Sequence, residues 1–144
     1  MRPPVTPDSV IVRIGSLSFT ATLEAERAPR TTAAFLTRLP FEGQLIQARW
    51  SGEAGWVPLA DYDLGVEYEN ATSHPAPGQV LWHPSGMSEA ELLVPYGSAC
   101  FSSRVGQLAG NHFLTIQDPH GDLAEVGRRL LRDGAQSISF QLEE

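Results

Sequence analysis

Ten residues near the middle of the chain, QARWSGEAGW (47–56), carry the side chains best suited to binding a ligand. Arg49 offers five hydrogen-bond donors in a planar fork that fits a carboxylate or an amide carbonyl, and it stays charged at physiological pH. Two interpretations follow. Either Arg49 anchors a ligand, with Glu53 in the same site, or it forms a structural ion pair with Glu42, Glu53 or another acid.

The two tryptophans of this stretch have different expected positions. The segment QLIQARW (44–50) alternates as a strand does, which places Arg49 on the more polar face and Trp50 on the opposite face. We therefore expect Trp50 to pack in the core, because large aromatic side chains supply much of the buried area of a small domain. Trp56 follows the turn SGEAG and is either a core residue or an apolar wall of a pocket.

A second candidate group is NHF (111–113), which begins a predicted strand after a glycine-containing loop. Polar side chains in such positions are often presented to ligands. His112 is suited to acid–base chemistry or hydrogen bonding near neutral pH, and the alternative is a histidine held by a structural hydrogen bond. Because neighbours on a strand face opposite ways, Asn111 and Phe113 are expected to share a face that His112 does not.

Several kinds of chemistry find no support in the sequence. The basic residues number 10 and all are arginine, so no lysine is present to act as a Schiff-base nucleophile or a general base. The histidines lack the paired spacing of metal ligands, the glycines of VGQLAGN do not form a phosphate loop, and no cofactor motif is present. We therefore expect neither a metal nor a cofactor, and we expect the single Cys100 to be a small buried apolar residue.

Size and charge limit the partners. A chain of 144 residues is expected to form a single domain, 1–144, with the proline-rich residues 1–7 as a flexible lead. The net charge of −7 has the wrong sign for binding phosphate backbones, so no nucleic-acid partner is expected. No apolar run approaches the roughly 20 residues of a membrane helix, and no signal peptide is apparent. We therefore expect no membrane partner and a cytoplasmic location; the oligomeric state is left open.

The hydrophobic pattern predicts a mainly β domain. Alternation predicts two paired strands in residues 10–24, an edge strand interrupted by Pro58 in WVPLA, and further strands in QVLWHP, AELLVPYG, NHFLTIQ and QSISFQLEE. Helical spacing predicts helices in residues 28–40 and 121–134, the second with Asp122 as its N-cap and Gly134 as its stop. Residues 61–78 are expected to be mostly loop. This order fits a closed β-barrel capped at both ends by two short α-helices.

Four segments together resemble an uncharacterised bacterial family with the cyclophilin-like fold, over roughly residues 8 to 142. They are APRTTAAFLTRLPFEGQLIQARWSGEAGW, PGQVLWHP, AELLVPYG and VGQLAGNHFLTI, in this order. The resemblance implies a cyclophilin-like β-barrel. It places Arg49 where the cyclophilins have their catalytic arginine, and Phe113 near their proline-pocket phenylalanine. The chain departs from the cyclophilins in having SGEAGWVP after the arginine and no tryptophan after Phe113.

Two functions are consistent with these residues. The first is binding of a small carboxylate- or amide-bearing ligand, or of a peptide, in a surface pocket formed by Arg49, Glu53, Trp56, Phe101, Asn111, His112 and Phe113. The second, implied by the resemblance, is peptidyl-prolyl isomerisation. There Arg49 is the catalytic residue and weakens C–N conjugation against a barrier of roughly 18–20 kcal/mol. A metabolic enzyme or enzyme subunit of another kind is a further alternative.

Overall fold

The computed structural model describes residues 8–60, 64–84 and 90–143, so the expected flexible lead lies outside the described residues. Two helices are present, Pro29–Leu36 (α1) and Asp122–Asp133 (α2). The strands are Ser9–Ile14 (β1), Leu17–Leu23 (β2), Phe41–Gln47 (β3), Gly52–Ala60 (β4), Ala71–Thr72 (β5), Gln79–His83 (β6), Ala90–Ala99 (β7), Ser102–Ser103 (β8), Gly106–Gln107 (β9), Gly110–Ile116 (β10) and Gln136–Leu142 (β11).

Eight of the strands form a closed antiparallel barrel. Their order is β2, β1, β11, β3, β4, β7, β6 and β10. The ring closes because β10 also pairs with β2, with Leu114 opposite Leu23 and Ile116 opposite Ala21. The short β5 adds to β10, while β8 and β9 form a separate two-stranded ribbon. The predicted mainly β class, closed barrel and two helices are confirmed.

The barrel interior is the main hydrophobic core. Along β1, Val10, Val12 and Ile14 are buried while the residues between them are not, as expected when alternate side chains share one face of a strand. The largest side chains at the centre contact one another edge-on; they are Phe35, Trp82, Phe113 and Phe140. Burial of such apolar surface, at about 25 cal/mol per Å², is the principal stabilising contribution.

The two helices lie at opposite ends of the barrel. α1 follows β2 and α2 follows β10, and these antiparallel neighbours finish at opposite ends. We name the two ends of the barrel the α1 end and the α2 end. α1 adds Phe35 to the core, and α2 adds Leu123, Val126 and Leu130. No helix within the described ranges is long and apolar enough to cross a membrane.

Three local predictions are wrong. Asp122 is not the N-cap of α2, because the Asp118 carboxylate accepts the backbone N–H groups of Asp122 and Leu123 at 2.7 and 3.0 Å. The segment WVPLA is not at a sheet edge, since β4 pairs with both β3 and β7. The strand expected over residues 44–50 ends at Gln47. Gly134 does end α2, with a φ of 91° that suits glycine.

Candidate functional site

A second apolar cluster lies outside the barrel, against β4, β6 and β7. Leu81 and Leu93 each lie between two inward-facing residues, so their side chains point outward. The segment 100–109 covers them with Phe101 and Leu108, which are both buried. We call this group the outer-face cluster: Ala48, Ala54, Leu81, Leu93, Phe101 and Leu108, with Trp56 and Ala99 packed against it.

Arg49 lies at the α2 end of the outer-face cluster, in the connection between β3 and β4. Residues Arg49–Ser51 form a 3₁₀ turn, so the prediction that Arg49 projects from a strand is wrong. Successive side chains alternate between two faces in a strand, but not in a 3₁₀ helix, which has three residues per helical turn. Arg49 and Trp50 are therefore both exposed. The prediction that Trp50 packs in the core is wrong for the same reason, since 52% of it is exposed.

The segment that follows β7 holds this turn in place through hydrogen bonds to Ser51. The Cys100 N–H donates to the Ser51 carbonyl at 2.9 Å, and the Ser102 N–H donates to Ser51 Oγ at 3.0 Å. Gly52 then starts β4 with a φ of 104°, and a Cβ atom there would lie 2.7 Å from the Ser98 carbonyl oxygen. Only glycine fits this close approach. The base of the turn is therefore fixed, and Arg49 is displayed on a rigid support.

Aromatic and basic side chains gather around this turn. The Trp50 and Trp56 rings meet edge-on with centroids 5.8 Å apart. The β8–β9 ribbon starts beside the turn and displays Arg104 and Val105 at its tip, with Val105 59% exposed. We call this group of side chains the tryptophan patch: Arg49, Trp50, Trp56, Arg104 and Val105.

The arginines of the tryptophan patch have no charged partner in the described part of the chain. Neither Arg49 nor Arg104 makes an ion pair or a side-chain hydrogen bond with the described residues. The exposed Glu53 is the nearest acid in sequence, but its Oε1 accepts the Ser98 N–H at 3.0 Å, which turns the side chain toward β7. The structural ion pair considered for Arg49 is therefore not formed with Glu53 or Glu42.

Asn111 lies far from this patch, at the α1 end, and is fully buried. Its Nδ2 donates to Thr31 Oγ1 at 3.0 Å and to the Glu67 carbonyl at 2.9 Å, and its Oδ1 accepts the Glu69 N–H at 3.0 Å. The Glu69 carboxylate in turn accepts the Thr31 N–H and hydroxyl at 2.6 and 2.8 Å, which caps α1. Asn111 thus joins α1 to the segment before β5.

Phe113 faces the barrel interior. Its ring meets the Phe35 ring edge-on at 4.8 Å, and it has no exposed surface. The register between β10 and β6 shifts between His112 and Leu114, and this bulge turns Phe113 and Leu114 both into the core. Asn111 and Phe113 do share a face, since both contact α1. However, the expectation that Phe113 lines a pocket with Arg49 is wrong, because Phe113 lies on the other side of the sheet.

His112 belongs to a short polar chain on the rim of the α1 end. Its Nε2 lies 2.7 Å from Thr115 Oγ1, and that hydroxyl donates to Glu24 Oε1 at 2.8 Å. Burial lowers the pKa of His112 from its ordinary value, Glu24 opposes this effect, and Arg27 adds to it. His112 is thus held by hydrogen bonds within the protein.

The predicted site residues therefore do not form one pocket. Arg49, Glu53, Trp56 and Phe101 lie along the outer face, whereas Asn111, His112 and Phe113 lie on β10. Arg104 and Val105 were not among the predicted site residues, although the serines and glycine of SSRVGQ are a turn signal that places them at a loop tip. Within the described ranges, no three histidine, cysteine, aspartate or glutamate side chains are grouped as metal ligands.

Two open grooves on the opposite side of the barrel include none of the predicted site residues. One of about 470 Å³ crosses β1, β11 and β3 and is lined by Arg13, Glu42 and Ser139, among others. The other, of about 600 Å³, is lined by Ile11, Leu39 and neighbouring residues. Neither groove is lined by a residue of the tryptophan patch.

One protein-family model matches residues 10–142, nearly the whole chain. The chain belongs to this family, DUF3830, described as a protein of unknown function. No curated protein matches this DUF3830 member.

Solved structures of similar fold are known. One is McbB in complex with tryptophan, with a TM-score of 0.68 and 15% identity over 93% of this chain and 44% of the McbB chain. Another is the solution structure of the hypothetical protein AF2241 from Archaeoglobus fulgidus, with a TM-score of 0.60 and 16% identity over 99% of this chain and 100% of that one. The DUF3830 chain thus spans less than half the length of McbB, and these likenesses show its fold.

Proposed function

We propose that this protein binds a ligand that carries a carboxylate beside an apolar group, and that it does so at the tryptophan patch. The observation that carries the proposal is the exposed Arg49 guanidinium, which has no partner among the described residues and lies beside the half-exposed Trp50. A short acidic peptide is the best fit, because the patch is an open surface on a rigid turn rather than an enclosed cavity.

The chemistry of the patch suits such a ligand. A guanidinium binds a carboxylate through two parallel hydrogen bonds, and contacts to charged groups contribute about 1.5–3 kcal/mol each. Tryptophan and arginine are among the residue types that contribute most binding energy at protein interfaces. Trp50 and Val105 also leave large apolar surfaces exposed at the same place. A peptide with an aromatic or aliphatic side chain next to an acidic one would contact both parts.

The charge distribution supports the same class of ligand. The protein has a net charge of −7, so its charge as a whole repels acidic molecules. Arg49 and Arg104 provide local positive charge, and Glu53 is turned toward β7. A protein of similar fold has been solved with tryptophan, which carries a carboxylate and an indole ring.

The isomerase alternative has less support from the geometry. The resemblance to cyclophilins gives Arg49 a catalytic role beside a proline pocket. Here the phenylalanine expected to form that pocket, Phe113, lies inside the barrel. Arg49 itself is on an open turn. We therefore favour binding, and we retain the cyclophilin-like relationship and the cytoplasmic location as parts of the proposal.

The test is selection of random dodecapeptides displayed on phage against the wild-type protein, followed by fluorescence-polarisation titration of the selected peptides. Acidic peptides with an aromatic or aliphatic residue should be enriched. Loss of one charge-assisted contact, about 1.5–3 kcal/mol, corresponds to roughly a ten- to hundredfold weaker Kd in Arg49→Ala. Trp50→Ala should weaken binding similarly, and both variants should melt as the wild type does.

Arg13→Ala is the matched control, since Arg13 is an exposed arginine on β1, on the other side of the barrel. Its affinity for the selected peptides should equal that of the wild type. Equal losses in Arg13→Ala and Arg49→Ala would mean that charge alone drives binding, and enrichment of non-acidic peptides would contradict the assigned ligand class. Measurable prolyl isomerisation that Arg49→Ala abolishes would favour the isomerase alternative instead.

A further inference from the structure

His83, the last residue of β6, is an unusual buried polar side chain. It has no exposed surface and lies on the outer face of the sheet at the α1 end. Its ring centroid is 5.7 Å from that of Phe101 and 6.3 Å from that of Tyr68. An imidazole is thus enclosed between two aromatic rings, at the opposite end of the outer face from the tryptophan patch.

The hydrogen bonding of His83 identifies the state of its two nitrogens. Nδ1 lies 3.0 Å from the Ala109 carbonyl oxygen, which can only accept, so Nδ1 carries a hydrogen. In the neutral imidazole Nε2 is then an acceptor. This atom is buried and has no hydrogen-bond partner among the described residues. Buried polar atoms of native proteins are nearly always satisfied, so a donor from outside the chain is the natural partner.

The surroundings limit the chemistry of that donor. Glu91 lies directly opposite His83 on β7 and is only 4% exposed. It already interacts within the protein, and in its ionised form its carboxylate offers acceptors but no donors. A ligand carboxylate could not donate a hydrogen bond to His83 Nε2 or to an ionised Glu91. A ligand N–H could donate to either of them.

Tyr68 is the exposed member of this aromatic group. Its side chain is 51% exposed and lies next to the His83 ring, on the segment that precedes β5. Asn111 holds this segment on both sides of Tyr68, through the Glu67 carbonyl and the Glu69 N–H. The backbone is therefore anchored by hydrogen bonds, while half of the tyrosine side chain is exposed to solvent.

We propose that His83 Nε2 accepts a hydrogen bond from the N–H of a small amine or amide, whose apolar body lies against Phe101 beneath Tyr68. This site is distinct from the tryptophan patch. Glu91 pairs with Pro58, which lies six residues along β4 from Gly52 at the other site. Phe101 lies between the two sites, since its neighbours Cys100 and Ser102 bond to Ser51 in the turn. Their ligands also differ, since this site takes donors and the patch takes carboxylates.

The test is NMR of protein labelled with ¹⁵N at histidine, in which the His83 Nε2 resonance reports whether its lone pair accepts a hydrogen bond. The probes are phenethylamine as the amine, phenylacetamide as the amide and 3-phenylpropionate as the carboxylate control. We expect at least one of the two N–H probes to shift the Nε2 resonance saturably, and the carboxylate to have no effect. The probe that binds identifies an ammonium or a neutral amide as the preferred donor.

Three variants test whether the change in the Nε2 resonance arises from binding at His83. His83→Phe keeps an aromatic ring between Phe101 and Tyr68 and should weaken binding of the active probe at least tenfold by calorimetry. The matched control His120→Phe, at an exposed histidine, should not. Tyr68→Ala removes an exposed side chain and should speed association, which keeps the proposal testable if His83→Phe fails to fold.

Three results would overturn the proposal. The first is an Nε2 resonance that stays fixed with both N–H probes, which means that water alone occupies the site. The second is an equal shift with 3-phenylpropionate. The third is unchanged affinity in a folded His83→Phe protein. Arg49→Ala should bind the probes as the wild type does, so failure of this proposal and failure of the peptide-binding proposal are distinguishable.

Discussion

Replacing Asn111 with alanine separates a structural role from a ligand-binding role for this residue. The amide makes three hydrogen bonds, at 2.9–3.0 Å, to Thr31, Glu67 and Glu69, and it has no exposed surface. Alanine leaves the Glu67 carbonyl and the Glu69 N–H without their partner. We therefore expect the main effect of the substitution to be on stability rather than on affinity.

The magnitude follows from these contacts. Each hydrogen bond contributes about 0.5–1.5 kcal/mol net, so loss of all three should lower the free energy of unfolding by about 1.5–4.5 kcal/mol. For a domain of this size each kcal/mol corresponds to about 2–4 °C, so the Tm should fall by roughly 3–18 °C. Asn111→Asp should cost more at neutral pH, because it places a carboxylate oxygen against the Glu67 carbonyl. Acid should reduce the difference, since a protonated aspartate donates there.

The assay combines urea unfolding with native-state hydrogen exchange. Protection should fall most at the Glu69 amide and in the first turn of α1, where Glu69 caps Thr31. Binding to peptides selected on the wild type should stay unchanged, because Asn111 lies at the other end of the barrel from the tryptophan patch. A variant of full stability that no longer binds its ligand would refute this reasoning and restore Asn111 as a ligand-binding residue.

Three further predictions concern other parts of the molecule. Burial holds the pKa of His112 below its ordinary 6.5; the charge of Glu24 raises this pKa in part, and that of Arg27 lowers it further. The folded state therefore binds fewer protons at His112 than the unfolded chain does. Stability should therefore fall as the pH drops from 6.5 toward the lowered pKa, and urea titrations should show that His112→Gln flattens this part of the curve. Asp118→Ala should destabilise the protein by about 0.5–2 kcal/mol in urea unfolding through loss of the α2 cap, and Asp122→Ala by less. At physiological salt a gel shift with duplex DNA should detect no binding, given the net charge of −7; a salt-sensitive shift would contradict this.

Local periodicity predicted most of the architecture. Alternation marked β1 and β2 because a strand repeats every two residues, and the apolar stripe of Leu123, Val126 and Leu130 marked α2 because a helix repeats every 3.6. These signals involve residues close together in the chain, so they can be read without knowing the fold. The strand order of the barrel agrees with them. The absence of a metal, a cofactor and a membrane partner, and the cytoplasmic location, stay predictions.

The sites depended on contacts that local patterns do not contain. Thr31 and Asn111 are 80 positions apart, yet their hydrogen bond helps fasten α1. His83 is enclosed by Tyr68 and Phe101, which come from two other segments. The sequence pattern predicts a strand at Trp50. In the structure the hydrogen bond between Ser51 and Ser102 stabilises a turn there, and the Trp50 ring is exposed. Backbone periodicity is a property of neighbouring residues, and so the sequence determined the strands and helices. The hydrogen-bond partners of buried polar atoms come from segments that are distant in the sequence, so only the tertiary structure decided these partners.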